Sequence, residues 1–358
     1  MKTAQDKVVK RLLVYMPTWL GDCVMATPAL RGLRELYPDA RITALVRVNV
    51  KPIVQDLPWV DRVVTVRPKR KGKKGDGRRG DVVGLARRLS RGRFDMAVLL
   101  PNSFKSALVA KMAGCNRIVG YERDGRGFLL SDRMIPRKGV GGFVPVPTLD
   151  YYLGIVRFLG AGHPSGEMAL FTRAEDDVRV DEIFKDVGID AASGDRLVLL
   201  NPGAQKLMKR WEPARFAAVA DVLMEEGDVK VAVTGSPGER EILKAVVDTA
   251  KGEVINLAER GMNLRLLKSV VKKSALMVTN DTGPRHIAAA MGTPVVTLFG
   301  PTGPEWTTID FEHEREIVAD GICEVCLKEK WAKSGKCMHR ISVDEVVKAS
   351  RELLSARV

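Results

Sequence analysis

The segment at 278–294, VTNDTGPRHIAAAMGTP, constrains the fold of this chain more than any other part of it. Its apolar start is typical of a buried strand, which ends in polar residues and turns directly into a helix. We predict that the helix begins near Pro284 and ends at Gly292, because proline is favoured in a first helical turn and glycine just after a last one. A strand that leads straight into a helix indicates an α/β fold.

The turn between this strand and helix has the chemistry of a phosphate site. The first turn of a helix exposes unpaired backbone N–H groups and carries a partial positive charge. Thr282 adds a hydroxyl group, Gly283 allows an anion to approach the backbone closely, and His286 follows one turn later. The same residues would also make an ordinary strand–helix connection capped by Asp281 or Thr282, and the local pattern favours neither interpretation.

Strands alternate with helices along the whole chain, and this alternation predicts parallel, doubly wound sheets. In the first half, strands are predicted at 11–16, 41–46, 62–66 and 95–100, and helices near 23–37, 50–56, 82–91, 103–113 and 148–160. The pattern then restarts, with strands at 197–200, 230–234, 254–256, 275–279 and 295–299 and helices at 214–226, 239–250, 263–273 and 284–291.

This restart divides the chain of 358 residues into two Rossmann-like domains of ordinary size. We predict an N-terminal domain at 1–175 and a C-terminal domain at 176–341. The remaining residues, 342–358, are predicted to form a C-terminal helix, because Ser342 and Glu345 make a capping box at its start. We expect this helix to pack back on the N-terminal domain.

The chain is strongly basic, with 58 Lys and Arg against 44 Asp and Glu and a net charge of +14. An anionic partner is therefore expected: nucleic acid, a membrane surface or a phosphorylated substrate. Much of the excess lies in the segment 67–80, which is either a solvated loop or a loop that contacts acidic lipid headgroups, at about 1 kcal/mol per basic residue. Because no aromatic stacking platform accompanies this charge, we expect no nucleic acid partner.

Other sequence features indicate a cytoplasmic protein. No apolar run reaches the ~18 residues of a transmembrane helix, and the N-terminus is typical of a first strand rather than of a signal peptide. The five cysteines show no disulfide framework and fit a reducing compartment. A Gly-x-Gly-x-x-Gly match at 75–80 lies inside the basic segment with no strand before it, so we do not interpret it as a dinucleotide site.

Two further polar residues follow predicted strands, where parallel sheets bind ligands. Asp22 comes after the first strand and is either a site residue or an N-cap of the next helix. Lys209 comes after the first strand of the second half and either neutralises a phosphate or lies exposed beside a structural Trp211. In a two-domain protein with open sheets, these strand ends can face each other across a cleft.

Together these motifs resemble the bacterial lipopolysaccharide heptosyltransferases, and among them the type that adds the second inner-core heptose. The resemblance covers nearly the whole chain, in the same order, and rests on GD at 21–22, TPAL at 27–30, LPNSFKSA at 100–107, NPGA at 201–204, KRW at 209–211, NDTG at 280–283, His286 and FGPT at 299–302. It implies an α/β GT-B glycosyltransferase, with two Rossmann-like parallel-sheet domains that face each other across a cleft.

The resemblance also implies roles for individual residues. Asp22 matches the proposed general base, which would deprotonate the acceptor hydroxyl. The donor and its phosphates would be bound by residues of the C-terminal domain, namely Gly203, Lys209, Asp281, Thr282, Gly283, His286 and either Glu239 or Glu241 on the ribose. The acceptor would be bound by the N-terminal domain, at Asn102, Ser103 and Lys105.

From the resemblance we expect an enzyme that transfers heptose from ADP-heptose to the anionic core of lipopolysaccharide, with inversion at the anomeric carbon. Members of the family need no cofactor and no obligatory metal, which agrees with the missing Asp-x-Asp pair. The protein would associate peripherally with the inner face of the inner membrane. A relative with another nucleotide sugar or acceptor, or a non-catalytic nucleotide-sugar-binding protein, would share the same motifs.

The chain departs from the family pattern in two places. Related enzymes often have four cysteines near the C-terminus, whereas this chain has Cys323, Cys326, Cys337 and His339, with Trp331 where a fourth cysteine could stand. These residues are either a zinc site by ligand count or plain loop thiols, and we expect the latter. The basic insertion at 67–80 is also outside the shared pattern.

Overall fold

The structure is a computed structural model that describes residues 8–66, 82–139, 142–190, 193–300, 304–319 and 337–356. The basic segment at 67–80 lies outside the described residues, as do Cys323, Cys326, Trp331 and the end of the FGPT motif. The chain divides into two compact units, Met1–Met168 and Ala169–Val358.

Each unit contains one parallel sheet, as the alternation of strands and helices predicts, but each sheet has six strands where the sequence predicted four and five. The first sheet has the order β3-β2-β1-β4-β5-β6 and consists of β1 (Arg11–Tyr15), β2 (Arg41–Arg47), β3 (Arg62–Val66), β4 (Met96–Leu99), β5 (Arg117–Tyr121) and β6 (Asp132–Met134). A short antiparallel hairpin follows it, formed by β7 (Lys138–Gly139) and β8 (Gly142–Phe143). The helices of this unit are α1 (Leu20–Met25), α2 (Thr27–Leu36), α3 (Lys51–Val54), α4 (Val82–Ser90), α5 (Phe104–Met112) and α6 (Thr148–Phe158).

The second sheet repeats the topology of the first, in the order β11-β10-β9-β12-β13-β14. Its strands are β9 (Arg196–Asn201), β10 (Val229–Val233), β11 (Val254–Asn256), β12 (Leu276–Asn280), β13 (Val295–Phe299) and β14 (Glu314–Val318). The helices are α7 (Ala174–Asp186), α8 (Pro213–Met224), α9 (Arg240–Thr249), α10 (Leu264–Lys273), α11 (Gly283–Ala290) and a C-terminal helix (Val343–Ser355).

The helix predicted at 23–37 is two helices in the structure, α1 and α2, with Ala26 between them. Pro28 has no N–H to donate to the carbonyl of Val24, so the helical hydrogen-bond ladder is interrupted there. The hydroxyl of Thr27 donates to that carbonyl instead, at 2.8 Å. The break separates the short helix that contains Asp22 from the helix that follows it.

The C-terminal helix packs against the second sheet, and the expectation that it packs back on the N-terminal domain stays a prediction. Its apolar residues Val346, Val347, Leu353 and Leu354 belong to the buried cluster that also contains Trp211 and the strands β9, β12 and β13. The predicted capping box is present, with the Ser342 hydroxyl accepting from the Glu345 N–H at 3.2 Å. No helix among the described residues is long and apolar enough to cross a membrane.

The strand order determines where a ligand site can form. In each sheet the chain passes from one side of its first strand to the other, so that β1 lies between β2 and β4, and β9 lies between β10 and β12. Ligands of open parallel sheets bind beyond the carboxyl ends of the strands at this switch point. The loops after β1 and β4 therefore lie together in the first unit, and those after β9 and β12 in the second.

Candidate functional site

The turn after β12 leaves the first N–H groups of helix α11 uncapped by side chains. Thr282 is the N-cap residue with extended backbone, and its side chain accepts no capping hydrogen bond. Its hydroxyl instead donates to the Asn280 carbonyl at 3.2 Å and accepts from the Asn201 amide at 3.4 Å. The interpretation of Asp281 or Thr282 as an ordinary cap therefore fails, and the helix N-terminus stays available to an anion.

Asn280 joins the two loops of this site, although sequence reasoning gave it no role. Its side-chain carbonyl accepts from the Trp211 N–H at 3.1 Å. Its amide group donates to the carbonyls of Pro202 at 2.9 Å and Gly203 at 3.3 Å. The loop after β9 is thus held against the turn after β12 by one buried side chain.

Lys209 points into the same site and does not lie exposed beside Trp211. Its amine forms an ion pair with the carboxylate of Asp281 and lies 3.5 Å from the Asp281 carbonyl. The Asp281 side chain is 5% exposed and that of Lys209 is 19% exposed. The structure therefore brings a cation to the N-terminus of α11, as the sequence predicts.

His286 is buried one turn into helix α11. Burial, and secondarily the charge of Arg285, lowers the pKa of His286 to about 3, so its imidazole is neutral at neutral pH. Its Nδ1 has no hydrogen-bond partner among the residues that the structure describes. The imidazole is therefore neutral, its unpartnered Nδ1 is itself buried, and it cannot supply a positive charge to an anion.

The two candidate ribose-binding carboxylates differ in position. A Cβ atom on Gly203 would come within 2.2 Å of Glu239 Oε1, so the glycine is what allows this carboxylate to approach the loop after β9. Glu239 Oε2 accepts from both the N–H and the hydroxyl of Ser236, at 2.7 Å each. Glu241 lies exposed in the first turn of α9. Of the two carboxylates, Glu239 is therefore the one that lies against the loop after β9, which the sequence did not reveal.

In the first unit, Asp22 lies in the first turn of the short helix α1. The cap position of α1 is Trp19 and that of α2 is Ala26, and neither helix is capped by a side chain. Asp22 is therefore not an N-cap, which was the alternative interpretation. Burial raises the pKa of Asp22 to about 6, so the carboxylate is ionised at neutral pH and is a stronger base than an exposed aspartate.

The candidate acceptor residues follow β4, beside the strand that leads to Asp22. The Asn102 side-chain carbonyl accepts from the Tyr151 hydroxyl at 3.0 Å and from Arg126 at 3.4 Å. Ser103 is the N-cap of α5, where its hydroxyl accepts from the Ser106 N–H at 3.3 Å. Lys105 lies exposed on α5. Asn102 is thus firmly positioned, Ser103 has a capping role, and Lys105 offers an exposed cation.

Arg126, which the sequence analysis did not identify, holds this loop in place through hydrogen bonds. It is fully buried and donates to the Tyr121 carbonyl at 3.0 Å, the Ser106 hydroxyl at 3.0 Å and the Ser103 carbonyl at 3.4 Å. Burial lowers the pKa of Arg126 to about 10. Nothing in the sequence separates this arginine from the many exposed ones, because its partners are mostly backbone carbonyls.

Within the described ranges, no group of three or more His, Cys, Asp or Glu residues could hold a metal ion. Of the candidate zinc ligands, Cys337 is buried and His339 lies 3.1 Å from a carboxylate oxygen of Glu212. Cys323 and Cys326 lie outside those ranges, so the zinc interpretation stays untested.

Two α/β units, each built on a six-stranded parallel sheet, are the architecture of a GT-B glycosyltransferase, and known structures agree. The glycosyltransferase of family 9 from Veillonella parvula superimposes with a TM-score of 0.83 at 23% identity, covering 99% of this chain and 100% of that one. ADP-heptose lipopolysaccharide heptosyltransferase II of Escherichia coli has a TM-score of 0.78 at 24% identity, covering 97% and 99%. E. coli heptosyltransferase WaaC, solved with ADP-2-deoxy-2-fluoro heptose, has a TM-score of 0.70 at 17% identity, covering 96% and 99%.

Sequence comparison gives the family. Residues 82–334 match the model of glycosyltransferase family 9 (heptosyltransferase). Lipopolysaccharide heptosyltransferase 2 of E. coli (strain K12) is 30% identical over 325 residues, which cover 86% of this chain and 87% of that protein. The chain belongs to glycosyltransferase family 9, the heptosyltransferases, so the predicted enzyme class and GT-B fold are confirmed.

Proposed function

We propose that this enzyme transfers heptose from ADP-heptose to the inner core of lipopolysaccharide, with inversion at the anomeric carbon. The observation that carries the proposal is the uncapped N-terminus of α11, flanked by Lys209 and by the neutral His286. The relatives named lipopolysaccharide heptosyltransferase 2, and the related structure solved with an ADP-heptose analogue, support this donor and this acceptor.

The donor diphosphate would bind in the second unit. Backbone N–H groups after Thr282 would donate to phosphate oxygens, helped by the partial positive charge of the helix end. Gly283 allows the close approach, and the amine of Lys209 would add a charge-assisted hydrogen bond, worth about 1.5–3 kcal/mol. Glu239, rather than Glu241, would accept hydrogen bonds from the ribose hydroxyls beside Gly203.

The acceptor would bind in the first unit, at Asn102 and Lys105, with Ser103 fixing the start of α5. Asp22 would act as the general base: the acceptor oxygen attacks the anomeric carbon, its proton passes to the Asp22 carboxylate, and the bond from the anomeric carbon to the diphosphate oxygen breaks. ADP leaves with the electron pair of that bond. A raised pKa suits this role, because an effective base has a pKa near the working pH.

The developing charge on the leaving diphosphate would be stabilised by groups of the protein itself. Lys209 and the dipole of α11 are fixed before the reaction begins, which is the arrangement that stabilises a transition state best. We therefore expect turnover to continue in EDTA, and a strict requirement for Mg²⁺ or Mn²⁺ would contradict this assignment.

We further propose that the enzyme works at the inner face of the inner membrane, where its acceptor is lipid-anchored. The net charge of +14 and the basic segment at 67–80 support peripheral association with anionic lipid.

The decisive experiment combines a donor screen with a turnover assay. Thermal shifts would be measured with ADP-, UDP- and GDP-sugars, and transfer would then be assayed with ADP-heptose and an inner-core acceptor. Stabilisation by ADP-heptose and transfer to that acceptor are expected. Stabilisation by a UDP- or GDP-sugar alone would identify another donor, and donor binding without turnover would identify a non-catalytic binding protein.

A further inference from the structure

A fully buried arginine lies directly behind the proposed donor site. Arg285 occupies the first turn of α11, between Gly283 and His286, and its side chain is 0% exposed. Its guanidinium group lies over the Phe299 ring, 4.7 Å from the ring centroid. Because this side chain has no access to solvent, it cannot contact a ligand directly, and its effect must pass through its neighbours.

The guanidinium group is held by two carboxylates of β14. Its Nε and Nη2 donate to the two oxygens of Glu314 at 2.6 and 2.9 Å, and Nη2 also donates to Glu316 at 2.7 Å. A further hydrogen bond of 3.0 Å joins Nη1 to the Thr307 carbonyl. This forked geometry fixes the orientation of the arginine as a lysine could not.

Nη1 also faces the site, at 3.6 Å from Asp281 Oδ1. The other oxygen of the same carboxylate, Oδ2, pairs with the amine of Lys209. Asp281 therefore bridges two cations, one fully buried and one at the N-terminus of α11. The charges form a chain from Glu314 and Glu316 through Arg285 and Asp281 to Lys209.

Stability alone is a weak reason for such a cluster, because buried ion pairs often stabilise a protein no more than apolar side chains of the same volume would. A fixed orientation is a better reason, since each group in the chain orients the next. We propose that Arg285 is a positioning residue of the donor site: it fixes the Asp281 carboxylate, which in turn sets the position of the Lys209 amine. This inference rests on the proposed function in that the anion received there is a nucleoside diphosphate.

The test is a double-mutant cycle on ADP affinity, measured by calorimetry for the parent, Lys209→Ala, Arg285→Lys and the double variant. Arg285→Lys keeps the positive charge but cannot form the paired hydrogen bonds to Glu314. When it is introduced into the parent, it should therefore weaken ADP binding about tenfold. In the Lys209→Ala background the same change should have an effect below about twofold, because the residue that Arg285 positions is already missing.

Arg196→Lys is the matched control. Arg196 makes a similar fork to Asp228, at 2.6 and 2.8 Å, and reaches Glu226 at 3.3 Å, but it starts β9 at the end of the sheet opposite the site. This variant should bind ADP as the parent does. If Arg285→Lys does not fold, the variant R285M/E314Q/E316Q replaces it in the cycle. This variant removes the charges of the arginine and of both glutamates together, so no buried charge is left without its partner.

Equal losses of affinity in both backgrounds, or the same loss in Arg196→Lys, would overturn the positioning role while leaving the donor assignment intact. A parent that does not bind ADP would instead contradict the proposed function. The cycle would then be measured with inorganic pyrophosphate, and pyrophosphate binding that is absent or independent of Lys209 would overturn the inference as well.

Discussion

The amine of Lys209 and the carboxylate of Asp281 form an ion pair, although the two residues lie 72 positions apart in the sequence. They meet because Lys209 follows β9, Asp281 follows β12, and these strands are parallel neighbours. If a diphosphate binds at the N-terminus of α11, the amine must share its hydrogen bonds between Asp281 and the phosphate oxygens. An ammonium group has three N–H donors, so the amine can keep its bond to Asp281 while it donates to a phosphate oxygen.

Lys209→Ala should weaken ADP binding by about 1–3 kcal/mol, the range for the loss of a charge-assisted hydrogen bond. Titration calorimetry with ADP measures this directly. Lys244→Ala is the control, because Lys244 belongs to the same unit and pairs with Asp248 at 2.6 Å on an exposed helix face. If Lys209→Ala binds ADP with unchanged affinity, this lysine does not contact the diphosphate.

Asp22→Asn should lose at least about 100-fold in turnover while binding ADP nearly as the parent does, since a positioned general base contributes 10²–10⁴-fold. The amide keeps the size of the carboxylate and much of its hydrogen bonding but cannot accept the proton. Single-turnover transfer and ADP titration separate the two effects. Asp150→Asn, which alters an exposed acidic residue in the first turn of α6, should leave both unchanged.

The pH dependence tests the same carboxylate independently. Turnover of the parent should fall as the pH drops through about 6, the pKa of Asp22, because the base must be ionised. The folded pKa lies above its ordinary value of 3.8, so the folded state binds this proton more tightly and the parent loses stability as the pH rises from about 4 to about 6. The stability of Asp22→Asn should not fall over this pH range, because the amide does not titrate. Near-parental transfer by this variant would show that Asp22 is not the base, and the same stability profile in both proteins would show that burial does not raise its pKa.

Much of the fold followed from local patterns because buried parallel strands are apolar runs, such as those at 197–200 and 276–279, and many of them are followed by a periodic helix. Most of the elements that the sequence analysis missed lack this signal, although the missed strand β5 has a buried apolar centre. β14 (Glu314–Val318) is largely charged, since its glutamates serve the buried Arg285. The acidic helix α7 is partly exposed. The C-terminal helix was located correctly, because its capping box marks where it begins.

A candidate site could be proposed from the sequence where a turn combines several uncommon residues, as at 280–283. Residues that act through long-range contacts could not, because a lone Arg126 or Arg285 looks like any surface arginine in a basic chain. The different positions of Glu239 and Glu241 also needed the structure. Only Glu239 approaches Gly203, and two residues so close in the sequence do not reveal this.

The basic segment at 67–80 provides a test of membrane association. If it contacts acidic headgroups, its deletion should reduce binding to vesicles that contain phosphatidylglycerol, and the difference should be largest at low salt because screening weakens such contacts. Vesicle co-sedimentation measures this, with phosphatidylcholine vesicles as the neutral control. If the full-length and shortened proteins bind these vesicles equally, the segment does not contact the headgroups and the solvated-loop interpretation holds.

Glu239→Gln should weaken the binding of ADP but not of inorganic pyrophosphate. The carboxylate is proposed to bind the ribose, so its loss removes charge-assisted hydrogen bonds of about 1.5–3 kcal/mol from a nucleotide and none from a ligand that lacks the sugar. Glu241→Gln is the matched control, since Glu241 lies exposed two positions further along the chain. Parallel titrations with both ligands measure the difference. Because Glu239 also closes a capping box with Ser236, a general disturbance of the loop would weaken pyrophosphate binding too, and that result would contradict a specific ribose contact.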